Sequence, residues 1–186
     1  MSTKYFLHGG ETKNGLKDSS EFFTSLTKID KSELNVLLVY FARTPDQWQS
    51  LSMEDMDNFL SNSDKPLNFE IAREKDFENQ INWADIVYLK GGDGPRLTSV
   101  LGNYPNLKEL LENKTVGAIS AGANALSEHY YSRKGNRVIE GLGIIPIKAF
   151  MHYEEGFDNE LKSLEEVYSD KELIKLSEGE FRKVVS

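Results

Sequence analysis

One serine in this chain sits where a nucleophile would have to sit. Ser120 ends the apolar run Val116-Gly117-Ala118-Ile119 and is followed by Ala121-Gly122-Ala123-Asn124. Small residues on both sides let the backbone double back sharply from strand to helix, which lifts the hydroxyl clear of the sheet. The local pattern, Ala118-x-Ser120-x-Gly122, is one residue away from the Gly-x-Ser-x-Gly of nucleophile elbows. A serine hydroxyl attacks only when a base removes its proton. The N–H groups of Ala121 and Gly122, at the expected start of a helix, could hold an oxyanion. The plainer alternative is that Ser120 merely caps that helix.

The base must be one of three histidines. His129 lies nine residues beyond Ser120, on or just after the same expected helix, and is expected at the surface. His8 closes the first apolar run beside Gly9-Gly10, where a supporting role is expected. His152 follows the run Leu142 to Phe150 and is the best candidate by elimination. A third group should fix its tautomer, and Glu154, Glu155, Asp158, Glu178 and Glu180 all remain open on the residues alone. The turn Lys90-Gly91-Gly92-Asp93-Gly94 follows another apolar run, so its glycine N–H groups could supply a second oxyanion donor. It is no nucleotide loop, since no Gly-Lys-Ser/Thr follows and the spacing is not that of a dinucleotide fingerprint. The scattered histidines offer no metal-ligand spacing, so neither metal nor cofactor is expected.

These residues need a scaffold, and the sequence alternates strand and helix patterns. Strands are expected at Tyr5 to Leu7, Asn35 to Phe41, Leu67 to Ala72, Asp85 to Leu89, Thr115 to Ile119, and within Leu142 to Phe150, a run broken by Pro146. Helical faces are expected from Leu16, Phe22, Phe23 and Leu26; from Trp48, Leu51, Met56, Phe59 and Leu60; from Leu107, Leu110 and Leu111; and from Phe157, Leu161, Leu164 and Val167. The stretch Leu173 to Val185 reads as a hairpin or strand pair around Glu178-Gly179. Alternation of this kind implies an α/β fold with a parallel sheet and helices on both faces, whose site lies at the carboxyl ends of the strands. Gly91-Gly92, Ser120 and His152 all fall at such ends.

The 186 residues suffice for one domain, expected over 1–186. Acidic residues outnumber basic ones, 30 to 22, for a net charge of −8, which argues against a nucleic-acid partner. There are no cysteines, which excludes disulfides and a thiol nucleophile, and with it a working glutamine amidotransferase. No apolar stretch approaches the roughly 20 residues of a membrane span, and the N-terminus lacks a signal-peptide pattern, so a cytoplasmic protein is expected.

In order along the chain, Phe6-Leu7-His8-Gly9-Gly10, Val39-Tyr40-Phe41-Ala42, Tyr88 to Leu97, Ile119-Ser120-Ala121-Gly122-Ala123-Asn124, Gly141-Leu142-Gly143-Ile144-Ile145-Pro146 and Met151-His152-Tyr153 together resemble the S51 peptidases, which include dipeptidase E and cyanophycinase. The resemblance implies a three-layer sandwich with a mainly parallel central sheet, of the class I glutamine amidotransferase-like (flavodoxin-like) type. It implies a serine peptidase of short peptides, with Ser120 as nucleophile, His152 as base and Glu178, in Leu176-Ser177-Glu178-Gly179, as the third member. Gly92 and Ala121 would supply the oxyanion N–H groups, with Gly91 and Asn124 also in the oxyanion and substrate-binding set. Ala118, Asp93 and Gly94 depart from the family pattern of glycine, glycine and asparagine. The segment after His152 is acidic and Lys162 is its first cation, so a preference for aspartyl substrates is not carried over. A homodimer is among the readings. The competing reading is a non-catalytic member of the same fold that binds a small molecule or a protein.

Overall fold

The computed structural model describes residues 2–12, 18–167 and 170–185. Five of the expected apolar runs form the parallel part of a central sheet: β1 (Lys4–His8), β2 (Leu34–Val39), β3 (Leu67–Ile71), β4 (Ile86–Leu89) and β5 (Thr115–Ile119). β1, β2, β4 and β5 are buried on both faces, which is why they read as continuous apolar runs, whereas β3, at the edge of the sheet, is only partly covered and alternates. In β2, Leu37 and Val39 pack into one core while Val36 and Leu38 pack into the other.

The sixth expected strand is not in this sheet. A second sheet, in the order β7-β6-β8-β9, comprises β6 (His129–Ser132), β7 (Arg137–Glu140), β8 (Ile147–Met151) and β9 (Glu172–Leu176). The strand preceding His152 is β8. The expected hairpin at the C-terminus is also corrected. Its two strands form, but they do not pair with each other: β9 runs parallel to β8, whereas β10 (Phe181–Val185) lies antiparallel to β1. The central sheet therefore has the order β10-β1-β5-β4-β2-β3, parallel except for β10. The turn between β9 and β10 carries the chain from one sheet to the other.

Helices cover both faces, as the alternation requires. On one side α1 (Ser20–Thr27) buries Phe22, Phe23 and Leu26 beside α2 (Pro45–Ser61). Leu16, expected on the same face as these residues, lies outside the described residues. On the other side are α3 (Phe77–Trp83), α4 (Gly94–Leu101), the single turn α5 (Leu107–Leu110) and the short α6 (Ala121–Leu126). A separate helix, α7 (Asp158–Glu166), packs Leu164, with Phe157 and Leu161, against Tyr131 and Phe150 of the second sheet.

The face of α2 departs from expectation. Leu60 is exposed, as is Met53, while Ser52, Asp55 and Asn58 are buried with Phe59. The apolar period misleads here because a buried carboxylate, Asp55, takes the inward position. It accepts hydrogen bonds from the Tyr40 and Tyr88 hydroxyls, at 2.9 and 3.0 Å, and an ion pair from Lys90 at 2.6 Å. Among the described residues, no helix is long and apolar enough to cross a membrane.

Candidate active site

Ser120 stands between β5 and α6 with φ 48° and ψ −103°, a backbone conformation that costs a non-glycine residue on the order of 1–3 kcal/mol. The surrounding ladder holds it there. Its N–H donates to the His8 carbonyl at 2.9 Å, and its own carbonyl accepts from Asn124 N–H at 3.0 Å. The hydroxyl does not cap α6. It lies 2.7 Å from Nε2 of His152 instead, which removes the plain N-cap reading.

His152 also has a positive φ, 56°, just past the end of β8. Backbone bonds hold it from three directions: its N–H donates to Gly9 O (3.1 Å), its carbonyl accepts from Arg133 Nη1 (3.1 Å), and the next N–H, of Tyr153, reaches Leu176 O (3.0 Å). Its Nδ1 lies 3.2 Å from Oε1 of Glu178, which belongs to the turn linking β9 to β10. Of the five carboxylates open on sequence grounds, Glu178 is the one on the imidazole. Glu154 pairs with Arg133 at 2.9 Å, and Glu180 accepts from Ser177 N–H at 2.8 Å.

The loop after β1 ties these parts together. Gly9 N–H donates to Glu180 O, and Gly179 N–H donates to Gly10 O, at 2.9 and 3.0 Å. Gly10 has φ 136°, and a Cβ there would fall 2.1 Å from Cε1 of His152. Only a glycine lets the chain pass behind the ring at this distance. His8, just before it, is fully buried, and its Nδ1 accepts the Gly10 N–H at 3.2 Å. Burial, and then the charges of His152 and Lys90, push the His8 imidazole down to about 4, so it is neutral near pH 7. His8 is thus a supporting residue, as expected. His129 opens β6 and is not beside Ser120.

On the far side of Ser120 is the Gly91-Gly92 turn. A Cβ on Gly91 would sit 3.2 Å from Cβ of Ser120, and one on Gly92 would strike Ala42 O at 2.4 Å. The N–H groups of Gly91, Gly92 and Ala121 donate to no acceptor among the described residues. Asp93 turns away to cap α4, its Oδ1 accepting from Arg96 N–H at 3.0 Å. The departures at positions 93 and 94 therefore leave the N–H groups of Gly91 and Gly92 without an acceptor among the described residues. Asn124 lies on the cleft wall, its Oδ1 buried and without a donor among the described residues.

The cleft over Ser120 and His152 measures about 990 Å³. Five cations line it, Arg43, Arg96, Arg133, Lys134 and Arg137, against two carboxylates, Glu11 and Asp93. Arg43 is committed to Gly91 O at 2.6 Å, and Arg133 to His152 O and Glu154. The side chains of Arg96, Lys134 and Arg137 form no hydrogen bond or ion pair among the described residues. The wall is not legible near His152 in the sequence, because all five cations precede it in the chain and none belongs to a basic run. The cations arrive instead from the loop after β2, from α4 and from the β6–β7 connection. Among the described residues there is no cluster of metal-ligating side chains.

The family model for peptidase family S51 matches residues 6–184. The chain belongs to peptidase family S51. No curated protein sequence matches it significantly. Among solved structures, it is similar to a peptidase from an acI-B1 Actinobacterium, with a TM-score of 0.73 and 23% identity over 100% of this chain and 84% of that one. It is also similar to a putative peptidase E protein from Listeria monocytogenes EGD-e, with a TM-score of 0.68 and 16% identity over 100% of this chain and 98% of that one. At these identities the two structures attest the fold alone, a mainly parallel α/β sandwich as the resemblance implied. Family membership makes this S51 chain a peptidase.

Two outcomes follow from the geometry. Gly10→Ala displaces the His152 ring, and a shift near 1 Å should slow the reaction of Ser120 about 100-fold without unfolding the chain, as measured by active-site labelling rate against circular dichroism. His8 is neutral when folded but titrates normally when unfolded. As the pH falls from 6.5 to about 4 the unfolded chain gains a proton that the folded chain refuses, and stability drops by up to about 3 kcal/mol. In urea titrations, His8→Gln should flatten that loss; an unchanged acid slope would contradict the assignment.

Proposed function

We propose that this peptidase cleaves short peptides by a serine mechanism, with Ser120 as nucleophile, His152 as general base and acid, and Glu178 as the carboxylate that orients the imidazole. The observation that carries the reading is the 2.7 Å contact between Ser120 Oγ and His152 Nε2, made by a serine whose backbone is strained away from its own helix. With Nδ1–H directed at Glu178, Nε2 carries the lone pair that takes the hydroxyl proton. Ser120 then attacks the peptide carbonyl. The carbonyl oxygen becomes an oxyanion against the N–H groups of Gly92 and Ala121, with Gly91 alongside, whose donors are free for it. His152 returns the proton to the leaving amine, and water, activated by the same imidazole, releases the acyl group.

The cleft supports short substrates. Its volume is at the upper end of small-molecule sites, about 1,000 Å³, which suits a peptide of a few residues. Its cationic wall favours a substrate carrying carboxylates, because the side chains of Arg96, Lys134 and Arg137 have no partner of their own among the described residues. The reaction needs no metal or cofactor in this scheme. Glu178 is almost half exposed, so its pull on His152 is screened and its share of the rate is the smallest of the three.

Ser120→Ala should lower kcat on a short-peptide panel by roughly 10⁴- to 10⁶-fold with little change in folding. Glu178→Gln should cost less, about 10- to 10⁴-fold. A fluorophosphonate probe should label the wild type at Ser120. Folded protein that neither labels nor turns over any peptide would leave the binding-protein reading standing instead.

A further inference from the structure

The buried ion pair of Lys90 and Asp55 is not used by the mechanism above. It costs both charges their hydration, and apolar residues of the same volume would stabilise the fold at least as well. Its geometry is what sets it apart. Asp55 is completely buried, and its two oxygens accept from Tyr40, Tyr88 and Lys90. The Lys90 ammonium also donates to Oγ1 of Thr12 at 3.2 Å and pairs with Oε1 of Glu54 at 3.7 Å. The Thr12 carbonyl in turn accepts from Nδ2 of Asn58 at 3.4 Å, so α2 grips the same loop twice.

The positions of these residues in the chain give the network its meaning. Lys90 directly precedes Gly91, the residue packed against Cβ of Ser120. Thr12 lies two residues past Gly10, the residue packed against the His152 ring. One ammonium thus bonds the loop behind the base while its own backbone leads into the turn of oxyanion donors.

We propose that Lys90, held by Asp55, is a positioning residue of the peptidase. Its bond to Thr12 fixes the loop Gly9 to Thr12 relative to the turn Gly91-Gly92, so that imidazole and oxyanion donors keep one spacing around Ser120. This rests on the serine-peptidase reading, and the test separates the two. Thr12→Val removes the hydroxyl and leaves the ion pair intact, so folding is retained. It should lower kcat and the fluorophosphonate labelling rate about tenfold while KM stays within about twofold, because the substrate wall is untouched. Hydrogen exchange should rise together in the two loops, 9–12 and 90–92. Thr12→Ser, which keeps the hydroxyl, should restore the rate. The triple variant Lys90→Met/Asp55→Asn/Glu54→Gln, which removes the ammonium together with both carboxylates paired to it, should lose at least as much rate as Thr12→Val.

A Thr12→Val variant that labels at the wild-type rate overturns the proposal, as does an equal loss in Thr12→Ser or a loss that appears in KM alone. A wild type that neither labels nor cleaves peptides overturns the peptidase reading, and this inference with it.

Discussion

The contact between Ser120 and His152 joins two sheets that share no strand pairing among the described residues. Ser120 is delivered by the central sheet and His152 by the second one, so their separation is set by whatever fastens the sheets together. The fastening is the loop Gly9-Gly10. Within two residues it bonds to His152 N–H, to Glu180 O and to Gly179 N–H, and it lies flat behind the imidazole. His152 and Glu178 are within one residue of these bonds, and the Ser120 N–H donates to His8 O, next to the same loop.

Such closeness depends on the absence of side chains and on backbone strain held by neighbours. Ser120 and His152 both have positive φ, and each such residue costs on the order of 1–3 kcal/mol unless the surroundings determine it. Here they do. Both N–H groups donate to carbonyls of the β1 end, of His8 and Gly9 respectively, and both carbonyls accept a bond as well. The strain is thereby confined to the two residues whose side chains must meet, while the strands beneath them remain regular. Neutral His8 completes this arrangement: it must accept the Gly10 N–H through Nδ1, which an imidazolium could not do.

What the sequence disclosed follows from this division of labour. The inner parallel strands were readable because burial on both faces leaves unbroken apolar runs, and the sharp turn at Ser120 was readable because a strand that doubles back into a helix demands small neighbours. Order along the chain, through the family resemblance, singled out Glu178 among five carboxylates that composition alone could not separate. The second sheet was not readable. β8 looks like one more buried strand, and only its pairing with β6 and β9 reveals which sheet it joins. The C-terminal hairpin failed for the same reason, since two strands on either side of a Glu-Gly turn carry no mark of their partners. On α2, periodicity counted Leu60 as core and passed over Asp55, because the rule for apolar spacing cannot register a carboxylate satisfied by two tyrosines and a lysine.

The charge distribution was equally hidden, and it bears on function more than the net value does. A chain at −8 would be expected to repel anionic ligands. Yet the cleft carries five cations against two carboxylates, gathered from separate segments none of which is a basic run. Two of those cations are spent on backbone carbonyls: Arg43 on Gly91 and Arg133 on His152, the residues flanking Ser120 on either side. The remaining three face solvent at the mouth. The first pair therefore braces the backbone on both sides of Ser120, and the other three, exposed and without side-chain partners among the described residues, give the cleft its positive field.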